Sequence, residues 1–492
     1  MTNESSRTQD MFSQQRKIFG RDIGKRFKNL NWTAIGFSIT VFIFLIIFGL
    51  LLRLLLAYQY RIDFPNPIFL NPIIWNRIVL FDPNGVSFSG YVDFNYYYVN
   101  WIQGWYESNW YPYTDWALAI DPGGPEYFYS YPAIFLYFLV LLWRPGMTYL
   151  AMALPMIIAD AACAGMVFLI VKEIMNKKDD NPIALLAGFL MCLSPINIIY
   201  DGVYWLNPGP VTLFTLVSFY FVTKKKWRQT FFWLALATMT KQNALFFTYP
   251  VFMFMLGERV QKEGVKRGVL NSIMNAAYYI IVCILCSIPW IFITPKFYGV
   301  HLLFPGQLLM LNSTIETPII NNTIQFSFSL KVLGLKGFLL DAIAYGINSM
   351  LLMIIGASII AIAMFWRSYK NNLDNTEFFE WVSIYTIITH IFMPRGVYKF
   401  YSAYYIPIIL IALICSLVNY SENRYSRILT LLVATGLFFG FSIWHQTINR
   451  VYTPVLLFLA SIIIALIAAG RGIIKLVLRY QQNQKKLAII SI

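Results

Sequence analysis

Between the first apolar run, Ile35 to Ala57, and the rest of a very apolar chain lies a long segment dense in carboxylates and aromatic rings. Its centre reads Gly90-Tyr91-Val92-Asp93-Phe94-Asn95-Tyr96-Tyr97-Tyr98, followed by Trp101, Trp105, Trp110, Tyr111, Tyr113 and Trp116. A carboxylate can take a proton from a hydroxyl group, and flat rings suit sugar faces or the bilayer interface. A membrane protein gains nothing in folding from acids gathered there, so the segment reads as a loop that does chemistry. Asp93 is its leading proton acceptor, because an aromatic wall disfavours the charged form and so favours use as a base. Asp is also a preferred helix cap, and a helix-like stretch runs from Tyr96 to Glu107. Catalysis and capping are both open to Asp93, and they are not exclusive.

Other groups have the chemistry to join it. Asp201 and Asn207 share the short loop Tyr200-Asp201-Gly202-Val203-Tyr204-Trp205-Leu206-Asn207-Pro208, where Asp201 serves either a site or a turn. Lys241, in Thr240-Lys241-Gln242-Asn243, sits between two short apolar runs. Thirteen helical residues rise only about 20 Å, so the lysine is held below the membrane surface. There it either snorkels to headgroups or meets an anionic ligand. Met393-Pro394-Arg395-Gly396-Val397-Tyr398-Lys399-Phe400-Tyr401 sets two cations among tyrosines. Arg395 can hold a phosphate with two prongs and Lys399 as a point charge, with Tyr401 completing the set. Headgroup anchoring is the plainer reading. Asp160, in the middle of an apolar run, is either functional or paired with a neighbouring helix. No histidine or cysteine spacing suits a metal, and none is predicted; the five cysteines read as packing.

The elements that must position these groups are helices in a membrane. Hydrophobic residues make up 58% of 492 and charged residues 12%, with no polar block large enough for a soluble domain. The net charge of +15 does not imply nucleic acid, because its lysines and arginines fall in short loops between apolar runs. The fold class expected is an all-α polytopic membrane protein of about twelve transmembrane helices. The spans are placed near 32–57, 147–171, 183–199, 209–223, 229–241, 243–257, 269–293, 341–365, 378–393, 402–418, 429–444 and 453–469. This gives a basic cytoplasmic N-terminus (1–31), one transmembrane domain (32–469) with a large first outer loop (58–146), and a basic cytoplasmic tail (470–492). Tyr129 to Trp143 is too short to cross and reads as a half-inserted helix lining a cavity. The sequons at Asn312 and Asn321 fall in a second long outer loop, 294–340.

Taken together these signatures resemble the GT-C superfamily of polytopic glycosyltransferases, and most closely the polyprenyl-phosphate-mannose-dependent mannosyltransferases of the GPI-mannosyltransferase and phosphatidylinositol-mannoside types. The matching residues are Asp93, Trp110-Tyr111-Pro112-Tyr113, Tyr129-Ser130-Tyr131-Pro132, Ser194-Pro195 through Trp205 and Asn207, Lys241-Gln242, and Arg395 to Tyr401, scattered over roughly 30–420. Two features depart from the family. Asn207-Pro208 stands where many relatives carry an acid, and Asp93-Phe94-Asn95 stands in place of a paired Asp-x-Asp. The resemblance implies transfer of a hexose, mannose by preference, from a polyprenyl-phosphate donor to an acceptor hydroxyl on the outer or lumenal face. Asp93 would be the base of an inverting single displacement, and Arg395, Lys399 and Lys241 would hold the donor phosphate. Asp201, Asn207 and Tyr401 would meet substrate. The acceptor would be a glycolipid, a lipid-linked glycan or a protein hydroxyl, with membrane lipids around and no cofactor. The rival class is a transporter or flippase of a lipid-linked sugar. Transporters usually show paired halves with broken helices in matching places, and this chain has one evident broken pair.

Overall fold

The computed structural model describes residues 32–60, 93–107, 112–113, 129, 131–175, 181–295, 298–299, 349–370, 373–391, 401–419, 424–447, 459–460, 462–466 and 470. The basic N-terminus, the tail beyond 470, both sequons and the Met393-to-Phe400 stretch lie outside them. The elements are α1 (Trp32–Tyr60), α2 (Val99–Glu107), α3 (Ala133–Leu142), α4 (Tyr149–Met175), α5 (Asn181–Cys192), α6 (Pro208–Thr223) and α7 (Trp227–Thr240). They continue as α8 (Leu245–Glu263), α9 (Val265–Ile293), α10 (Ser349–Tyr369), α11 (Asn375–Ile391), α12 (Ser402–Asn419) and α13 (Arg424–Thr447). The chain divides into two compact units, Met1–Phe44 and Leu45–Ile492. The described part of the first is the opening of α1, an apolar helical stretch that exposes Phe37, Ile39 and Phe44.

The expectation of about twelve crossings is overturned. Among the described residues, four helical stretches are long and apolar enough to cross a membrane: Gly36–Gln59, Tyr149–Met175, Asn181–Val203 and Val265–Ile293. The other apolar runs do form helices, but Ala133–Leu142, Pro208–Thr223, Met353–Tyr369, Ser402–Val418 and Ile428–Trp444 have 10–17 residues each. At 1.5 Å per residue Ala133–Leu142 rises about 15 Å and Pro208–Thr223 about 24 Å, short of a hydrocarbon layer about 30 Å thick. Punctuation in the chain sets the lengths. Proline opens α6, a turn at Lys224–Lys226 separates it from α7, and α7 stops before Lys241. The assignment of loops to two faces rested on twelve crossings and is withdrawn with them.

Within the second unit, close helix crossings depend on small residues. A Cβ on Gly209, at the start of α6, would lie 2.5 Å from the Met156 carbonyl and 3.0 Å from the Asp160 nitrogen of α4. Gly257 of α8 plays the same part against the Phe365 carbonyl of α10, at 2.4 Å. Helix α4 is mostly buried, with Ala159 to Gly165 packed inside, whereas α9 shows most of its apolar side chains to the surroundings. None of the five cysteines forms a disulfide. The described part of the first long loop packs on this bundle through a core of rings, including Phe94, Tyr98, Trp101, Tyr113, Tyr129 and Phe135.

Candidate functional site

Asp93 opens a wide, π-helical turn, Asp93–Tyr98, that runs directly into α2. Such turns recur at functional positions because they displace side chains from the regular helical register. The next residue, Phe94, is fully buried and meets Trp205 edge-on at 5.1 Å, so the start of this turn lies against the loop carrying Asp201 and Asn207. The Asp93 side chain lies outside the described residues.

Several of the loop's described rings pack on one another. Tyr98 meets Phe135 at 5.0 Å, Trp101 meets Tyr129 at 4.9 Å, and Tyr113 meets Tyr298 at 4.7 Å. These rings bury one another. Burial pushes the Tyr113 and Tyr129 phenols well above their usual range. Both stay neutral and donate hydrogen bonds, Tyr113 to the Tyr131 carbonyl (2.8 Å) and Tyr129 to the Pro132 carbonyl (2.9 Å). They fix the chain that carries Tyr131 to the head of α3.

Asp201 stands in a second π-helical turn, Ile198–Val203, and is completely buried. Its Oδ1 accepts the Gly209 N–H at 2.8 Å, which satisfies one of the free donors that open α6. Proline at the first position of α6 fits the same helix start. Beside it lies a buried ionic cluster. Arg53 Nε donates to Asp160 Oδ2 at 2.5 Å, and a second guanidinium nitrogen donates to the Gly49 and Cys192 carbonyls. Asn197 donates to Asp160 Oδ1 (3.1 Å) and to the Ala403 carbonyl (3.3 Å), while Ser194 donates to Asn197 (2.9 Å). Asp160, which the sequence leaves between two roles, is thus paired. The cluster ties α1, α4, the end of α5 and α12 together.

Lys241 occupies the break between α7 and the turn Gln242–Ala244, with an extended backbone (φ −155°, ψ 136°). The side chain is 4% exposed. Its Nζ donates to Asn207 Oδ1 at 3.0 Å, and the Tyr404 hydroxyl donates to the same oxygen at 3.0 Å. Three rings surround the ammonium, Tyr131 at 5.0 Å and Tyr401 and Tyr404 at 5.2 Å each, within reach of cation–π attraction. The Asn207 Nδ2 is buried with no hydrogen-bond partner among the described residues. A cavity of about 30 Å³, room for about one water, adjoins the Lys241 cage between Asn243, His390, Tyr401 and Tyr404.

The fold thus brings Lys241, Asn207 and Tyr401 together from distant parts of the chain and sets the Asp93 turn against the same loop. Asp201 lies a few residues away but turns toward α6 and α4. Arg395 and Lys399 lie outside the described residues. Sequence reasoning missed Tyr404, although it is three residues beyond Tyr401 and shares its face of the helical path, a signal that was available. It also missed the part of Tyr131 in the cage.

Residues 126–304 match the profile of the family described as Dolichyl-phosphate-mannose-protein mannosyltransferase. That segment is homologous to the family; it contains Tyr131, Asp201, Asn207 and Lys241, and neither Asp93 nor Arg395 to Tyr401. No curated protein and no solved structure matches the chain significantly.

Proposed function

We propose that the chain is a membrane glycosyltransferase that moves a hexose, mannose by preference, from a polyprenyl-phosphate carrier to an acceptor hydroxyl. The Lys241 cage carries this reading. Lys241 is a buried ammonium hydrogen-bonded to Asn207 and set among three tyrosine rings, inside the segment homologous to the mannosyltransferase family, and an ammonium can meet a phosphate as a point charge. In the proposed reaction the acceptor hydroxyl gives its proton to Asp93 while its oxygen attacks the anomeric carbon. The bond from that carbon to phosphate oxygen breaks, with inversion, and the polyprenyl phosphate leaves. Fixed cations in a site shielded from water stabilise the leaving charge most effectively. Lys241 supplies one, and Arg395 and Lys399, close before Tyr401 in sequence, supply the others. Asn207 and Tyr401 contact the substrate, and Asp201 holds the loop that carries Asn207. The acceptor is a glycolipid, a lipid-linked glycan or a protein hydroxyl.

The test is transfer of radiolabelled mannose from polyprenyl-phosphate mannose in membranes containing the protein. Asp93→Asn keeps size and hydrogen bonding but removes the proton acceptor, so turnover should fall by roughly 10²–10⁴ while the protein still folds. Near-normal transfer by this variant would remove Asp93 from the mechanism, and absence of transfer by the parent would remove the reaction.

A further inference from the structure

At the end of α7 opposite Lys241 a second polar recess opens. A cavity of about 410 Å³ is lined by Trp227, Arg228, Gln229, Arg259, Asn271, Met274, Asn275 and Tyr278. It lies where the first turn of α7, the last turns of α8 and the first turns of α9 come together. The fourteen residues of α7 separate it from Lys241 by about 20 Å, so it is not part of the cage.

We propose that this recess binds the phosphate-bearing headgroup of an anionic membrane lipid. Three observations converge on it. The first is charge. Residues 224–228 and 258–267 supply Lys224, Lys225, Lys226, Arg228, Arg259, Lys262, Lys266 and Arg267 against Glu258 and Glu263. Glu258 is engaged by Lys225 and Lys262, and Glu263 by Arg259 and Asn271. Arg228, Lys226, Lys266 and Arg267 have no ion pair among the described residues. The second is geometry. Arg228 lies over the Tyr278 ring at 5.3 Å, which orients its planar fork, and the side-chain amides of Gln229, Asn271 and Asn275 line the same space. A guanidinium so placed holds a phosphate with two parallel hydrogen bonds.

The third is the setting. Asn271, Asn275 and Tyr278 recur at helical spacing on the α9 face that lines the cavity. Leu270, Ile273 and Met274, on the same turns, are 54–57% exposed and apolar. A molecule entering the recess therefore meets polar donors at its head and an open hydrocarbon flank beside them. Free phosphate needs only the first of these; a phospholipid uses both. Basic pockets between membrane helices are recognised headgroup sites for the same reason.

The full-length protein in neutral detergent, probed with phosphatidylglycerol and phosphatidylcholine by native mass spectrometry, decides the matter. The parent should prefer phosphatidylglycerol by about tenfold, the scale of one hydrogen-bonded charge. Arg228→Gln, at an exposed position that folding tolerates, should abolish the preference. Gln229→Trp, which fills the recess without changing charge, should abolish it too. Lys370→Gln removes the same charge from an exposed position at the end of α10 and should leave the preference intact. Equal losses in Arg228→Gln and Lys370→Gln, or no loss in Gln229→Trp, would overturn the site. Inorganic phosphate or glycerol phosphate binding as tightly as the lipid would overturn the lipid assignment.

Discussion

Arg53 and Lys241 are both buried cations, and the fold surrounds them in opposite ways. Arg53 faces a carboxylate, with two carbonyls bonded to one guanidinium nitrogen and an asparagine bonded to the carboxylate. Lys241 faces an amide oxygen and three phenol rings. The first arrangement is closed, because charge meets charge and the groups link four parts of the bundle. The second sets an ammonium against an amide oxygen and rings, and it is the group proposed above to meet the donor phosphate. A buried charge is thus better classed by what compensates it than by its depth.

The comparison breaks first, and hardest, at the closed cluster. Asp160→Leu leaves Arg53 buried without its counter-charge and should cost about 3–5 kcal/mol of stability, enough to abolish accumulation of folded protein. The double change Arg53→Met with Asp160→Leu should recover most of that loss, since two apolar groups of similar volume replace the pair. Thermal unfolding in detergent reads both; a double variant as unstable as the single would mean that the cluster does more than cross-link helices.

At the open cage the expected order reverses, with function lost before stability. Lys241→Gln should weaken binding of polyprenyl phosphate by about 1.5–3 kcal/mol, the range for a hydrogen bond to a charged group, while the melting point changes little. Should melting fall as far as in Asp160→Leu with phosphate binding unchanged, Lys241 belongs with Arg53 as a structural cation. Tyr404→Phe is a finer probe, because it keeps the ring and removes the hydroxyl that donates to Asn207. A loss of about 0.5–1.5 kcal/mol in donor binding is expected, without effect on acceptor affinity. An effect of the same order should come from Tyr131→Leu. It deletes one cation–π contact, about 0.5–2 kcal/mol, and partly restores apolar packing in its place. A Tyr131 effect exceeding that of Lys241 would shift the site's centre from the ammonium to the ring.

How much of this was legible depended on distance along the chain. Helices stand where the apolar runs stand, since hydropathy reports apolar character directly. Their capacity to cross a membrane was misread, because apolarity alone does not separate a lipid-facing helix from one packed inside protein. Pro208–Thr223 shows the difference, being apolar and short and buried along much of its length. The break at Lys241 was visible from Thr-Lys-Gln-Asn between two apolar runs. The partner of Asp160 was not, because 107 residues separate it from Arg53 and no local pattern links them. The aromatic richness of the first long loop was plain, but its purpose was not: composition does not distinguish rings that stack on a ligand from rings that bury one another.

The scatter of the Lys241 cage has a consequence for how the protein is made. Tyr131, Asn207 and Lys241 leave the ribosome well before Tyr401 and Tyr404. At about 5–20 residues per second, the 160 residues from Lys241 to Tyr401 take roughly 8–32 s to synthesise. During that interval the lysine has only part of its eventual lining, in a chain already being inserted. A nascent polypeptide halted before α12 would have no finished cage, and the appearance of phosphate binding would mark the moment when insertion is complete.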